Sequence, residues 1–497
     1  MLSESIFAVG NEAMGAGFLE DLALLRETFQ RVWGYDDFRP PQGEIAQALL
    51  QGRDIVTVMP TGAGKSVCFQ LPALMQSGVT LVVSPLVALM ENQVQELAEK
   101  RLPAAALHSE LDKRSHAQAL RSLQANRLRL LYLSPETLLS KPVWEVLSQP
   151  QVKINALVLD EAHCLTQWGD SFRPTYRRLG AVRPALLANR PTGSRLAIAA
   201  FTATADPLTQ QALQSVLQLR NPQIIRLNPY RDNLHLAVQT IWTPRGRQQA
   251  MLRCLERQGK QSGLVYARTR RGTEALAQWL AAKGYSVRAY HGGLAARLRR
   301  QIEAQWIDGD CQFVVCTSAF GMGINKADCR FVIHYEVPSL LAEYVQEVGR
   351  GGRDGKPAEA LSLVSERTGL LSPEDCRRWQ FFDRKAQQLE KSALQLARRI
   401  PPEGHINNVR KTAPEGDQAL ALLHRQGQLH WLDPFTYRLQ PRQKAQSERQ
   451  ASAVTVMRRY LFTGRCRWQV LLEEFGFAEA AKKMHCGRCD RCLRAAR

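Results

Sequence analysis

Short apolar runs alternate along most of the chain with stretches in which apolar positions return at helical spacing. Residues 54–59, 80–85, 104–107, 128–133, 154–159 and 195–201 are almost continuously apolar. That pattern predicts strands buried on both faces, as in a parallel sheet whose crossovers are helices. A second series follows, with strands predicted at 262–267, 286–290, 312–316, 331–335 and 360–364. Between the two, Asn221-Pro222 and Pro229-Tyr230-Arg231-Asp232 are turn chemistry suited to a hinge. The strand rhythm stops after residue 368, where 373–400 reads as a charged helix broken by Pro401-Pro402. Beyond it, 416–424 predicts an amphipathic helix and 428–439 a β-hairpin. Helices followed by a hairpin suit either a winged helix or an insertion that only packs. The chain thus divides into a loose leader (1–20), a first α/β domain (21–207), a hinge (208–232), a second α/β domain (233–367), a helical insertion (368–445) and a cysteine-bearing module (446–497).

Two segments of the first series carry chemistry. Met59-Pro60-Thr61-Gly62-Ala63-Gly64-Lys65-Ser66 follows the first strand and opens a helix, the layout of a phosphate-binding loop. Its glycines let backbone N–H groups turn toward phosphate oxygens, and the helix N-terminus adds positive potential. Lys65 would reach the β- and γ-phosphates of a nucleotide, and the Ser66 hydroxyl would hold Mg²⁺. Asp160-Glu161-Ala162-His163 ends the 154–159 run. A strand that delivers two carboxylates at its C-terminal end places them where ligands of parallel sheets bind. Asp160 would support Mg²⁺, and Glu161 would position or deprotonate water. The second series has no phosphate loop, but Arg350 and Arg353 stand three apart after Gln346. On one helical face both would point at a phosphate and cancel transition-state charge; read alone, the segment is more readily a basic surface helix.

Composition narrows the partner. Sixty-six Lys and Arg against 46 Asp and Glu give a net charge of +20, spread along the chain rather than gathered in a tail. Such an excess favours a polyanion bound on a folded surface. A membrane would also suit a basic protein, but no apolar stretch approaches the ~18 residues of a span. The N-terminus is not a secretion signal, so the 11 cysteines are expected as thiols in a reducing, cytoplasmic compartment. Four of them form a set. Cys486, Cys489 and Cys492 are a Cys-x₂-Cys-x₂-Cys run, and Cys466 lies upstream. Four thiolates at this spacing suit tetrahedral Zn²⁺, with a redox pair or iron–sulfur site as alternatives. His485 is an alternative fourth ligand, but a residue adjacent to Cys486 is poorly placed to share its metal.

The phosphate loop, the Asp-Glu-Ala-His box, Thr202-Ala203-Thr204 and Gln346-x-x-Gly-Arg-x-x-Arg353 stand in the order found in superfamily 2 helicases. Met59 replaces the usual first loop glycine, as in the helicase variant of that motif. Phe38-Arg39-Pro40-x-Gln42, the run from Cys164 through Trp168, Phe172 and Arg173 to Tyr176, and Ala319 to Lys326 resemble the RecQ family of DNA helicases more specifically.

The resemblance implies two tandem RecA-like domains, a helical or winged-helix-like region and a zinc module. It also implies ATP, Mg²⁺ and Zn²⁺ as cofactors, and 3′-to-5′ unwinding of single-stranded and junction DNA in repair and recombination, alongside other repair or replication proteins. In a prokaryote it implies association with the nucleoid. By the same resemblance Tyr35 and Arg39 would sandwich adenine and Gln42 would read its edge, beside Thr61, Gly62, Ala63 and Gly64 around the phosphates. His163 belongs to the box, Thr202, Thr204 and Gln346 would couple the domains, and Trp168, Phe172, Arg173 and Asn325 would touch DNA. Asp170-Ser171 depart from the family's usual His-Asp, and Gly351-Gly352 from Ala-Gly. The chain ends five residues past Cys492, so the resemblance is to a short form without the domains that usually follow the zinc module. An ATP-gated clamp that does not unwind, and an RNA helicase, are the alternative functions.

Overall fold

The computed structural model describes residues 17–60, 62–166, 173–321, 324, 326–441 and 453–495. It divides into two compact units. Of the described residues, the first comprises those within 17–59, 63–227 and 388–441, and the second those within 60–62, 228–387 and 453–495.

The predicted apolar runs of the first unit become strands β1 (Ile55–Val58), β2 (Val79–Val83), β3 (Ala104–Leu107), β4 (Leu130–Leu133), β5 (Ile154–Leu159) and β6 (Ala197–Thr202). They pair in parallel, with β7 (Gln223–Arg226) added at one edge, in the order β3-β4-β2-β5-β6-β1-β7. β7 and the helix Pro207–Val216 lie inside the stretch expected to be a hinge. That expectation is corrected: residues up to 227 complete the first sheet, because Asp206 caps the helix and the short Gln-Ile-Ile-Arg strand pairs with β1. The expected leader is also shortened, since a helix begins at Gly17. Side chains from both faces of the sheet build two apolar cores, one around Leu81, Leu131 and Leu157 and one around Phe69, Val82 and Phe201.

The second unit holds β8 (Leu234–Ile241), β9 (Gly263–Tyr266), β10 (Val287–Tyr290), β11 (Phe313–Cys316), β12 (Phe331–His334) and β13 (Ala358–Ser365). All pair in parallel, in the order β10-β11-β9-β12-β13-β8. β8 escaped the sequence reading: its alternating Leu-His-Leu-Ala-Val-Gln lacks the continuous apolar run of its neighbours.

The region after the sheets is not merely helical. The long helix Glu374–Ala397 is followed by β14 (Glu403–His405), helices Ile406–Thr412 and Gly416–Arg425, and the hairpin β15 (Leu429–Trp431) and β16 (Thr436–Leu439). The three strands form an antiparallel sheet in the order β14-β16-β15. Helix, strand, two helices and a hairpin closing on the first strand is the connectivity of a winged helix. The Asp433 carboxylate makes the hairpin turn by accepting from the N–H groups of Phe435 and Thr436. The cysteine module, by contrast, belongs to the second unit. Helices Ala453–Phe462 and Arg467–Glu474 share one apolar core with Tyr344, Val348 and Leu234 of the second sheet's surroundings.

Candidate active site and metal centre

The phosphate-loop sequence folds as its residue types require. β1 ends at Val58, the helix Lys65–Met75 starts at Lys65, and Gly62 and Gly64 take φ of +85° and +78°. Those are left-handed conformations that residues with a Cβ rarely adopt. A Cβ on Gly64 would also lie 2.2 Å from the Gln42 side-chain amide. Gln42 is buried against the loop: its amide donates to the carbonyls of Ala63 and Gly64, and its Oε1 accepts from the Arg39 N–H. Nearby, Tyr35 exposes 57% of its surface and Arg39 is exposed. Ser66 sits half-buried on the first helical turn.

β5 delivers Asp160 and Glu161 beside this loop. Lys65 Nζ lies 3.7 Å from Glu161 Oε1. The ammonium is buried and makes no hydrogen bond among the described residues. A buried ammonium with no hydrogen-bond acceptor is costly even beside a carboxylate, and an anion with several acceptor oxygens satisfies it. Glu161 stands at φ +52°, a backbone conformation disfavoured for a residue with a side chain, immediately after the strand. Burial, then the neighbouring Glu161 charge, pushes Asp160 up to about 6. A divalent cation held by Asp160 would reverse that shift, so this carboxylate fits Mg²⁺.

His163 links the box to the next strand. Its Nδ1 lies 3.2 Å from both Glu161 Oε2 and Thr202 Oγ1. The Thr202 hydroxyl donates to the Thr204 carbonyl, so in the His163–Thr202 contact it accepts from the single Nδ1–H, which the Glu161 carboxylate shares. Glu161, His163, Thr202 and Thr204 thus form one hydrogen-bonded line within the first unit. The Thr204 hydroxyl is buried without a partner among the described residues.

In the second unit the helix carrying Gln346 ends at Val348, and residues 349–355 turn, with Gly352 at φ +55°. Arg350 and Arg353 therefore do not share a helical face, contrary to the sequence expectation, because Gly349 and Gly351-Gly352 release the helix. They still converge. Arg350 donates to the Gly321 carbonyl and Arg353 to the Ile324 carbonyl at 3.0 Å, both on the segment after β11. Burial, then Arg350, lowers Arg353 to about 10.

Sequence reasoning missed the support beneath them. Arg268 donates to both Glu343 and Glu347, and His334 lies 2.9 Å from Glu347. Burial raises Glu343 to about 7, while Arg268 and His334 overcome burial to hold Glu347 at about 2. The one visible signal was Glu343 and Glu347 four apart on a helix.

The four expected cysteines come together. The sulfurs of Cys466, Cys486, Cys489 and Cys492 all lie within 4.8 Å of one another, and His485 is not part of that group. Backbone N–H groups of Cys486, Cys489 and Arg467 point at sulfurs. Such donors favour thiolates, so the set fits a tetrahedral metal. Thr61, Trp168, Phe172 and Asn325 lie outside the described residues. Arg173 is tied to the Pro85 carbonyl and Glu136, each at 2.5 Å. No helix among the described residues is long and apolar enough to cross a membrane.

The sequence model of the DEAD/DEAH box helicase family matches residues 39–213, and that of the helicase conserved C-terminal domain matches 246–355. The chain is similar to the ATP-dependent DNA helicase RecQ of Synechocystis, 50% identical over 96% of this chain and 99% of that protein. It is 38% identical to the RecQ of Pasteurella multocida over 67% of this chain, spanning about half (51%) of that relative's length. Among solved structures, the Mycobacterium smegmatis helicase Lhr bound to single-stranded DNA and AMP-PNP superposes with a TM-score of 0.56 at 21% identity, covering 84% of this chain and 60% of Lhr. Yeast Dbp5 bound to RNA and ADP-BeF3 gives 0.56 at 18% identity, covering 73% of this chain and 93% of Dbp5. At those identities the likeness concerns the fold: two RecA-like parallel-sheet domains. Half of its residues are shared with one relative along almost the whole length of both, and the chain belongs to the RecQ family of ATP-dependent DNA helicases.

Proposed function

We propose that the chain hydrolyses ATP to unwind DNA, moving 3′ to 5′ along one strand in repair and recombination. The observation that carries this reading is the buried, unsatisfied Lys65 ammonium 3.7 Å from Glu161 at the mouth of the glycine loop. Bound ATP with Mg²⁺ would supply the reacting γ-phosphate. Lys65 pairs with its charge, Ser66 and Asp160 hold the metal, and Glu161 orients water with His163 fixing its carboxylate. Tyr35, Arg39 and Gln42 receive the base, Gln42 by leaving the loop carbonyls it now bonds. Thr61 to Gly64 wrap the phosphates, and Arg350 and Arg353 stabilise transition-state charge. Thr202, Thr204 and Gln346 couple nucleotide state to movement. Trp168, Phe172, Arg173 and Asn325 engage single-stranded DNA, where rings stack on bases without regard to sequence. Zn²⁺ on the four cysteines is structural. The deciding experiment is unwinding of forked duplexes with 3′ or 5′ tails, run beside ATPase stimulation by DNA and by RNA. Unwinding only with a 3′ tail and stimulation by DNA are expected. ATP turnover without unwinding of either fork would leave a clamp or remodeller, and stimulation by RNA alone would make it an RNA helicase.

A further inference from the structure

The winged-helix-like module of the first unit uses the surfaces with which such modules ordinarily read DNA to grip the ATPase domain instead. In helix-turn-helix proteins the second helix of the pair enters the major groove. Here that helix, Gly416–Arg425, buries Ala419, Leu420, Leu422 and Leu423. It packs on the 3-10 segment Pro174–Ala181, whose Ala181 joins the same apolar cluster. The hairpin tip is occupied as well. Arg178 is 3% exposed and donates through Nε to the Pro434 carbonyl at 2.5 Å. Its guanidinium lies 5.7 Å from the Trp431 ring centre and 5.5 Å from that of Phe435. Phe435 in turn meets Trp144 edge-on at 5.3 Å and stacks on His405. Burial, then Arg410, lowers Arg178 to about 10, a cost that the carbonyl and ring faces offset.

The gripped segment is strategically placed. It begins directly after Arg173, which is tied to Pro85 and Glu136. It also touches the 3-10 turn Ala162–Leu165 that follows Asp160 and Glu161. It has no slack on its other side: a Cβ on Gly180 would sit 1.7 Å from the Val216 carbonyl oxygen.

We propose that residues 403–440 are a positioning brace, which through Arg178 and Phe435 fixes the segment Pro174–Ala181, between Arg173 and the 3-10 turn that it touches after the Asp160-Glu161 box, and so transmits DNA engagement to hydrolysis. The inference rests on the DNA-stimulated ATPase reading above. Among the described residues, Arg178 and Phe435 contact Pro434, Trp431, Trp144 and His405 and none of the residues assigned above to nucleotide or DNA; they are positioning residues.

The test compares wild type with Arg178→Met, Phe435→Ala and Arg178→Lys. Basal turnover, KM for ATP, oligo-dT affinity by anisotropy and oligo-dT-stimulated turnover are each measured. The expected result is a split: stimulated kcat falls about five- to tenfold, while basal kcat, KM and DNA affinity stay within about twofold. Arg178→Lys keeps the charge without the planar fork and should recover part of the loss. Unchanged stimulation in Phe435→Ala, or basal and stimulated rates falling together, would overturn the brace. Should Arg178→Met not fold, Phe435→Ala probes the same contact from the module's side. If wild type itself shows no stimulation by DNA, the functional reading fails instead, and the two failures are distinct.

Discussion

At the scale of single residues the candidate site pairs function with instability. Asp160 has a folded-state pKa of about 6, above the ~3.9 of an unfolded aspartate, so the native protein holds that proton more tightly than the unfolded chain. Its charge therefore costs stability above pH 6, and stability should recover as pH falls from 6 toward about 4. Two results are expected. kcat/KM for ATP should lose activity below an apparent pKa near 6, the value of the free enzyme. Asp160→Asn should abolish hydrolysis yet raise the unfolding temperature at neutral pH by about 2 °C or more, measured without nucleotide. Glu161→Gln should also stop turnover but still bind ATP, whereas Lys65→Ala should lose both; near-wild-type turnover in either would remove them from the chemistry. The box and the loop were legible in the sequence because each is contiguous and its spacing mirrors the chemistry. The Arg268 network was not, because its members stand at 268, 334, 343 and 347 and only the folding of β9, β12 and one helix makes them neighbours.

Elements show the same contrast. Strands buried on both faces were readable almost to the residue, since continuous apolar runs have few other uses. The edge strands β7 and β8 were hidden, one behind Asn221-Pro222 and one behind its polar alternation. The helix Leu341–Val348 depends on Arg268, which answers two buried carboxylates at once. Arg268→Ala would remove the cation that the two share and leave Glu347 only His334, at a cost of about 3–5 kcal/mol, and chemical denaturation should show it. The zinc module matters to the same helix. Tyr460 of the module donates to the Tyr344 hydroxyl at 2.8 Å, and Trp468 donates to the Leu234 carbonyl. The apolar core that the module shares with this helix carries the loss of its metal into the second unit. Cys489→Ser should lower zinc content and DNA binding, preserve ATP binding at the first unit's loop, and reduce hydrolysis through the helix that bears Gln346. Elemental analysis with nucleotide-binding and turnover assays would separate these effects; full turnover in a zinc-free variant would contradict the coupling.

For the whole molecule, the net charge of +20 should appear as salt sensitivity. The logarithm of single-stranded DNA affinity should fall with the logarithm of salt by about 0.7 for each phosphate neutralised. A flat response would mean that the excess charge serves another purpose. The division into two units has a consequence of a different kind, for the order in which the protein can be made. The chain builds the first unit to residue 227, leaves it for the second, and returns only at 388 to complete it. On the ribosome, the buried surface around Arg178 and Ala181 must therefore wait for a covering that is synthesised roughly two hundred residues later, about 10–40 s at the usual rates of translation. The nascent first domain has to survive that interval with an apolar patch bare, so chaperone depletion during expression should harm this protein more than the same domain supplied with residues 388–441 directly downstream.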